Sequence, residues 1–104
     1  MLGRYGPLMA AQVKIFITQW CGYCSAALRL LRAKGVDFEQ VDASDPKTRR
    51  WLREVTGRST VPQIFIDGTP VGGYTDLRAL DERGMLDPML AGDRARSHGS
   101  SASG

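Results

Sequence analysis

Ile15-Phe16-Ile17-Thr18-Gln19-Trp20-Cys21-Gly22-Tyr23-Cys24 is a β-branched, apolar run that ends in a Cys-x-x-Cys pair. The run from Val13 to Ile17 reads as a buried strand. After the pair comes a helical pattern, Ala26, Ala27, Leu28, Leu30 and Leu31, ending at Lys34-Gly35. The cysteines therefore fall where a strand gives way to a helix N-terminus. The first N–H groups of a helix lack intrahelical partners and carry partial positive charge. A thiolate at Cys21 is stabilised there, which makes Cys21 the attacking sulfur. Cys24, about one turn further on, is within disulfide reach and becomes the resolving thiol. Gly22 leaves the first sulfur uncovered, and Tyr23 flanks it with an aromatic face.

Rival uses of such a pair fit less well. A structural zinc site takes about four ligands. There is no third cysteine, and the one histidine, His98, lies in a polar tail. Structural disulfides in small secreted domains close longer loops and come in several pairs. A dithiol redox site is the better reading.

Working outward, 104 residues make one domain with one modest core. The hydrophobic share of 42% and the charged share of 24% are ordinary for a globular chain. No apolar run approaches the ~18 residues that span a bilayer, so no membrane partner is expected. Residues 1–11 read as a flexible extension without a secretory pattern. Residues 12–91 form the domain, and 92–104, small and polar, form a disordered tail. Two cysteines at redox spacing suit the cytoplasm. The net charge of +3 includes the cluster Lys47, Arg49, Arg50 and Arg53. With no exposed aromatic stripe beside it, that cluster reads as a solvated helix face and not a nucleic-acid site.

The remaining elements follow in order. A second strand is expected over Val36–Val41, parallel to the first through a right-handed crossover. Ser44-Asp45-Pro46 starts a helix, with Pro46 at its first position. Trp51, Leu52 and Val55 form its inward face, and Gly57 ends it. Gln63–Ile66 is a third strand, and the Asp67-Gly68 turn returns Thr69–Val71 antiparallel. Pro70 confines that strand to an edge. Thr75 caps a helix carrying Leu77 and Leu80 that stops at Gly84, and 85–90 adds a short helix. This order, βαβ, then α, then ββα, gives an α/β chain: a four-stranded mixed sheet flanked by helices, the thioredoxin-like fold.

Four segments carry a family resemblance: Cys21-Gly22-Tyr23-Cys24, Thr60-Val61-Pro62 before a strand, Gly72-Gly73-Tyr74-Thr75-Asp76, and Leu80-Asp-Glu-Arg-Gly-Met-Leu-Asp-Pro88. In order and spacing the chain resembles the glutaredoxins from about Val13 to Leu90. The resemblance implies a cis bond between Val61 and Pro62. It also implies that the Val61 backbone pairs with an extended glutathione, as an added strand would. Thr60 and Tyr23 would border that groove. Gly73 lets backbone come close to the ligand. Tyr74, Thr75 and Asp76 would meet its γ-glutamyl end at a helix N-terminus.

Two departures stand out. Thr18 occupies the place where many glutaredoxins carry a lysine that helps hold glutathione's glycine carboxylate. Arg49 is the candidate to take over that anchoring. Gly22 replaces the common proline, and Trp20 before Cys21 resembles thioredoxins.

The activity implied is glutathione-dependent thiol–disulfide exchange by a monomer. Cys21 attacks glutathionylated proteins or small disulfides, and Cys24 or a second glutathione resolves the product. Two alternatives stay open. One is a carrier of a [2Fe–2S] cluster shared between two copies, with one cysteine and one glutathione from each. The other is a redoxin reduced by thioredoxin reductase without glutathione.

Overall fold

The two central strands send alternate side chains into two separate cores, one on each face of the sheet. In a computed structural model of the chain, which describes residues 11–92, the elements run β1 (Val13–Ile17), α1 (Gly22–Ala33), β2 (Glu39–Asp42) and α2 (Pro46–Thr56). Then come β3 (Gln63–Ile66), β4 (Thr69–Gly72), α3 (Tyr74–Glu82) and α4 (Leu86–Leu90). The strand order is β2-β1-β3-β4, with β1 and β2 parallel and the other two pairings antiparallel. β4 is an edge strand, as its Pro70 requires. This is the four-stranded mixed sheet expected from the element order.

Side chains on a strand point alternately to opposite faces. Val13 and Ile15 of β1 and Ile64 and Ile66 of β3 therefore face one layer, where Ala27 and Leu31 of α1, Leu77 of α3 and Leu86 and Leu90 of α4 cover them. Phe16 and Phe65 face the other layer, against Leu52 of α2 and Ala43. Fully burying each such aliphatic side chain contributes about 1.5–3 kcal/mol, and most of these sit in the first layer. The larger core thus lies beneath α1, the helix that carries the cysteines.

Turn chemistry matches the sequence where backbone geometry leaves little choice. Asp45 caps α2, its carboxylate accepting from the Lys47 and Thr48 amides, with Pro46 behind it. Asp67 and Gly68 both have positive φ, 52° and 79°, the type I′ pattern that joins two antiparallel strands. Gly57 ends α2 at φ 81°.

Several expectations need correction. β2 begins at Glu39, not Val36, because pairing with β1 starts at Lys14↔Glu39. Val36 and Phe38 instead drop their side chains into the core ahead of the strand. On α2 only Leu52 is buried; Trp51 and Val55 are each 44% exposed. Trp51 lies over the edge of the second layer, its ring 5.5 Å from that of Phe16 and 5.8 Å from that of Phe65. α3 is capped by Gly73 in place of Thr75, because Asp76 reaches back to the Gly73 amide. Ala11, assigned to the extension, is buried, and its amide donates to the Leu90 carbonyl at 2.9 Å. The rest of the extension (1–10) and of the tail (93–104) lies outside the described residues.

Lys34, at the C-terminus of α1, is 17% exposed and bridges Asp81 of α3 and Asp87 of α4. These carboxylates, Asp81 foremost, raise its pKa above the usual 10.5. A raised lysine contributes its full stabilisation below 10.5 and loses it as pH climbs through the raised value. Lys34→Met should therefore destabilise the domain by about 1 kcal/mol at pH 7. The gap between variant and wild-type urea midpoints should narrow as pH climbs above 10.5 and through the raised lysine value. Equal midpoints at pH 7 would contradict this.

Candidate active site

The sulfur of Cys21 does the work of a capping oxygen. Cys21 is the N-cap of α1, and its Sγ accepts the Cys24 amide at 3.2 Å. Across the sheet, its thiol points at the Val61 carbonyl, 3.8 Å away. The residue is partly exposed, whereas Cys24 is 2% exposed on the inward side of the helix. The two thiols are free. Burial, and then the hydrogen bond with Cys21, push the Cys24 thiol up to about 11; the Thr18 backbone and the Arg49 charge pull the other way. One sulfur is therefore reachable, with a donor aimed where negative charge forms as its proton leaves. The other stays a protonated thiol at neutral pH.

Beside Cys21 the Val61–Pro62 bond is cis, as the resemblance implied. Pro62 is buried and Thr60 exposed at the rim. Gly73 comes so close to the Pro62 carbonyl that an added Cβ would lie 3.2 Å from it. At Gly72, φ is +109°, and an added Cβ would stand 2.7 Å from the Asp76 Cγ. Glycine at 73 lets the start of α3 close on the cis-proline loop, and glycine at 72 leaves room for the Asp76 carboxyl. Asp76 Oδ2 accepts the Gly73 amide at 3.0 Å. Tyr23 of α1 stacks on Tyr74 of α3, centroids 6.4 Å apart, forming an aromatic wall between the helices. Thr75 is exposed on the first turn of α3.

Cys21, Val61, Pro62, Gly73 and Asp76 thus form one continuous line from sulfur to carboxylate, with Tyr23 and Tyr74 alongside. Arg49 behaves differently. Its Nε donates to the Ala43 carbonyl at 2.7 Å and its Nη1 to the Ser59 carbonyl at 3.0 Å. It ties the loop after β2 to the loop before the cis-proline, and is not the solvated residue its basic neighbours suggested.

Arg58 was missed. Its Nη1 donates to Asp76 Oδ2 at 3.0 Å, joining the loop before Thr60 to the start of α3. The Gly73 amide first, and Arg58 second, hold the Asp76 carboxyl below the usual 3.8. Nothing in the spacing of the two residues signals this contact, since 18 positions separate them.

Among the described residues no group of three or more His, Cys, Asp or Glu side chains is placed to hold a metal. This chain could offer an iron–sulfur cluster Cys21 alone, so the other three thiolates would come from elsewhere. Nor is any described helix long and apolar enough to cross a membrane.

A partly exposed cysteine at a helix start, a buried partner one turn on and a cis-proline loop facing them, on this four-stranded sheet, define a thioredoxin-like thiol–disulfide oxidoreductase. Comparison with known proteins narrows the class. The family model described as Glutaredoxin matches residues 13–71. Glutaredoxin 3 of Escherichia coli (strain K12) is 46% identical over 82 residues, 77% of this chain and 98% of that protein. Glutaredoxin of Pseudomonas aeruginosa is 46% identical over 80 residues, covering 76% and 95%. The solution structure of glutaredoxin from Brucella melitensis superposes with a TM-score of 0.75 at 43% identity, covering 85% of this chain and 97% of that one. A crystal structure of a buckwheat glutaredoxin–glutathione complex gives 0.72 at 28% identity, covering 77% and 76%. This chain belongs to the glutaredoxin family.

Proposed function

We propose that this glutaredoxin reduces protein–glutathione mixed disulfides and low-molecular-weight disulfides at the expense of glutathione. The observation that carries the reading is the placing of Cys21 Sγ between the Cys24 amide and the Val61 carbonyl, at the head of a line ending at Asp76. An extended tripeptide whose cysteine sulfur meets Cys21 would pair with the Val61 backbone. Its γ-glutamyl ammonium would then reach Asp76, and its carboxylate the first turn of α3. Thr60, Tyr23, Tyr74 and Thr75 line this path, and Gly73 keeps it open. Arg49, beyond its hold on the loops, brings a positive charge near the cysteines to attract the glycine carboxylate. That a buckwheat relative was crystallised with glutathione supports the same ligand here.

In the first step the Cys21 thiolate attacks the glutathione sulfur of the mixed disulfide. The protein–glutathione S–S bond breaks, the target leaves as a thiolate that takes a proton, and Cys21 is left bonded to glutathione. A second glutathione thiolate attacks the bound glutathione sulfur, giving glutathione disulfide and restoring Cys21. Alternatively Cys24 loses its proton and attacks Cys21, releasing glutathione and closing an internal disulfide. Two cysteines at redox spacing suit a reducing compartment, and the cytoplasm is the proposed location.

The test compares electron donors. Glutathione, glutathione reductase and NADPH should support steady turnover of a small mixed disulfide. Thioredoxin reductase with NADPH should support less than about a tenth of that rate, the thiol exchange being otherwise the same. The reverse ranking would transfer the chain to the thioredoxin-reductase-dependent redoxins.

A further inference from the structure

Asp76 already has a cationic partner. Arg58 and Asp76 form an ion pair at 3.0 Å, side chains 53% and 43% exposed, at the far end of the line that starts at Cys21. Both donors to the Asp76 carboxylate, the Gly73 amide and Arg58 Nη1, converge on Oδ2. The guanidinium has five N–H donors in a planar fork, and its bond to Asp76 uses one of them. Positive and negative charge thus stand side by side and face solvent. An α-amino acid carries the complementary pair, ammonium and carboxylate on one carbon.

We propose that Arg58 determines specificity for the α-amino-acid end of the substrate. Its guanidinium joins the first-turn amides of α3 in holding the α-carboxylate while Asp76 takes the ammonium, so that four charges close into a ring. The inference rests on the glutathione reading above and adds a residue and a recognition chemistry to it. Asp76 alone would attract any cationic end. The pair selects a zwitterion, because a ligand lacking its carboxylate leaves Arg58 with Asp76 as its only counter-charge. Charge complementarity of this kind discriminates between ligands more than it adds raw affinity. Arg58 arrives from the loop just before Thr60 and Val61, so seating it also fixes the end of the segment that offers the Val61 backbone.

The experiment is a double-variant cycle on protein and ligand. Wild type, Arg58→Gln and Arg58→Lys are assayed with one peptide carrying three different mixed disulfides. The first is with glutathione, the second with γ-aminobutyryl-cysteinyl-glycine, which lacks only the α-carboxylate, and the third with glutaryl-cysteinyl-glycine, which lacks only the α-amino group. For wild type, loss of the carboxylate should raise KM about tenfold with kcat little changed, the size of one charge-assisted hydrogen bond. In Arg58→Gln that ratio should shrink to within about twofold of unity, and Arg58→Lys should restore part of it. Loss of the amino group should raise KM in all three proteins. Thermal melts confirm that the variants fold. An undiminished carboxylate ratio in Arg58→Gln overturns the Arg58 assignment alone and leaves the carboxylate to the α3 amides. A folded wild type that turns over none of the three ligands overturns the glutathione reading, and this inference with it.

Discussion

Cys21→Ser is expected to lower turnover of a glutathione mixed disulfide by at least about a thousandfold, because a serine hydroxyl does not ionise near neutral pH and supplies no leaving sulfur. Cys24→Ser should keep at least about a third of the wild-type rate when glutathione is in excess, since glutathione can perform the resolving attack. The asymmetry follows from where the two sulfurs sit. Cys21 caps α1 with its sulfur partly open, while Cys24 is 2% exposed and burial, then its bond with Cys21, holds its thiol near 11. A buried thiol that stays protonated at pH 7 attacks slowly; a soluble glutathione meets no such barrier. The checks are the NADPH-coupled rate and mass spectrometry of the variants after glutathione disulfide. Cys24→Ser should trap one glutathione per chain, and Cys21→Ser none. Turnover surviving in Cys21→Ser, or failing in Cys24→Ser, would contradict the assigned order of attack.

The second large effect is expected at Gly72. A methyl group there would press on the Asp76 carboxyl, 2.7 Å from its Cγ and 2.9 Å from its Cβ, on a backbone with φ +109°. Neither strain has a cheap escape. The carboxyl is held by the Gly73 amide and Arg58, and positive φ disfavours any residue with a Cβ. Gly72→Ala should therefore destabilise the domain by about 3 kcal/mol. In a folded unit of this size that lowers Tm by well over about 10 °C. At a temperature where the variant is still folded, KM for the glutathione mixed disulfide should also rise, because Asp76 is pushed off the line that leads from Cys21. Gly22→Ala is the control: no atom lies within 4 Å of a Cβ built at Gly22. Equal melting temperatures for Gly72→Ala and Gly22→Ala would refute the steric account.

Much of the fold was legible because single residues forced it. Pro46 after Asp45, the Asp67-Gly68 turn and the edge-bound Pro70 each admit few backbone states, and each stands where the sequence places it. The start of β2 was not legible. Val36 and Phe38 look like strand residues because one is buried and the other packs against the core, yet hydrogen bonding to β1 begins only at Glu39. Burial shows in hydrophobic pattern; pairing does not. Trp51 and Val55 misled for the related reason that a large apolar residue can rest on the rim of a layer without entering it.

Among the candidate site residues, Cys21 and Cys24 follow from local spacing alone. The facing of Val61, Gly73 and Asp76 toward Cys21 depends on loops meeting across the sheet, and the sequence carried it only through resemblance to a family. Arg58 had neither signal. It sits one position before Ser59, on a loop that Arg49 ties down through the Ser59 carbonyl. Arg49 illustrates the converse. Four basic residues close together read as a uniform charged face, and only the path of the two neighbouring loops sets one of them apart.

Trp20, next to the attacking sulfur, is 95% exposed with φ +59°, while Trp51 rests against two phenylalanine rings on the α2 face. The two indoles give the molecule a pair of built-in optical reporters. Emission from the first should sit at the red, water-exposed end of the range and respond to whatever is attached at Cys21. Emission from the second should be bluer and shift when the α2 layer loosens. One fluorescence trace could then follow exchange chemistry and unfolding as separate signals in the same sample, with no label added.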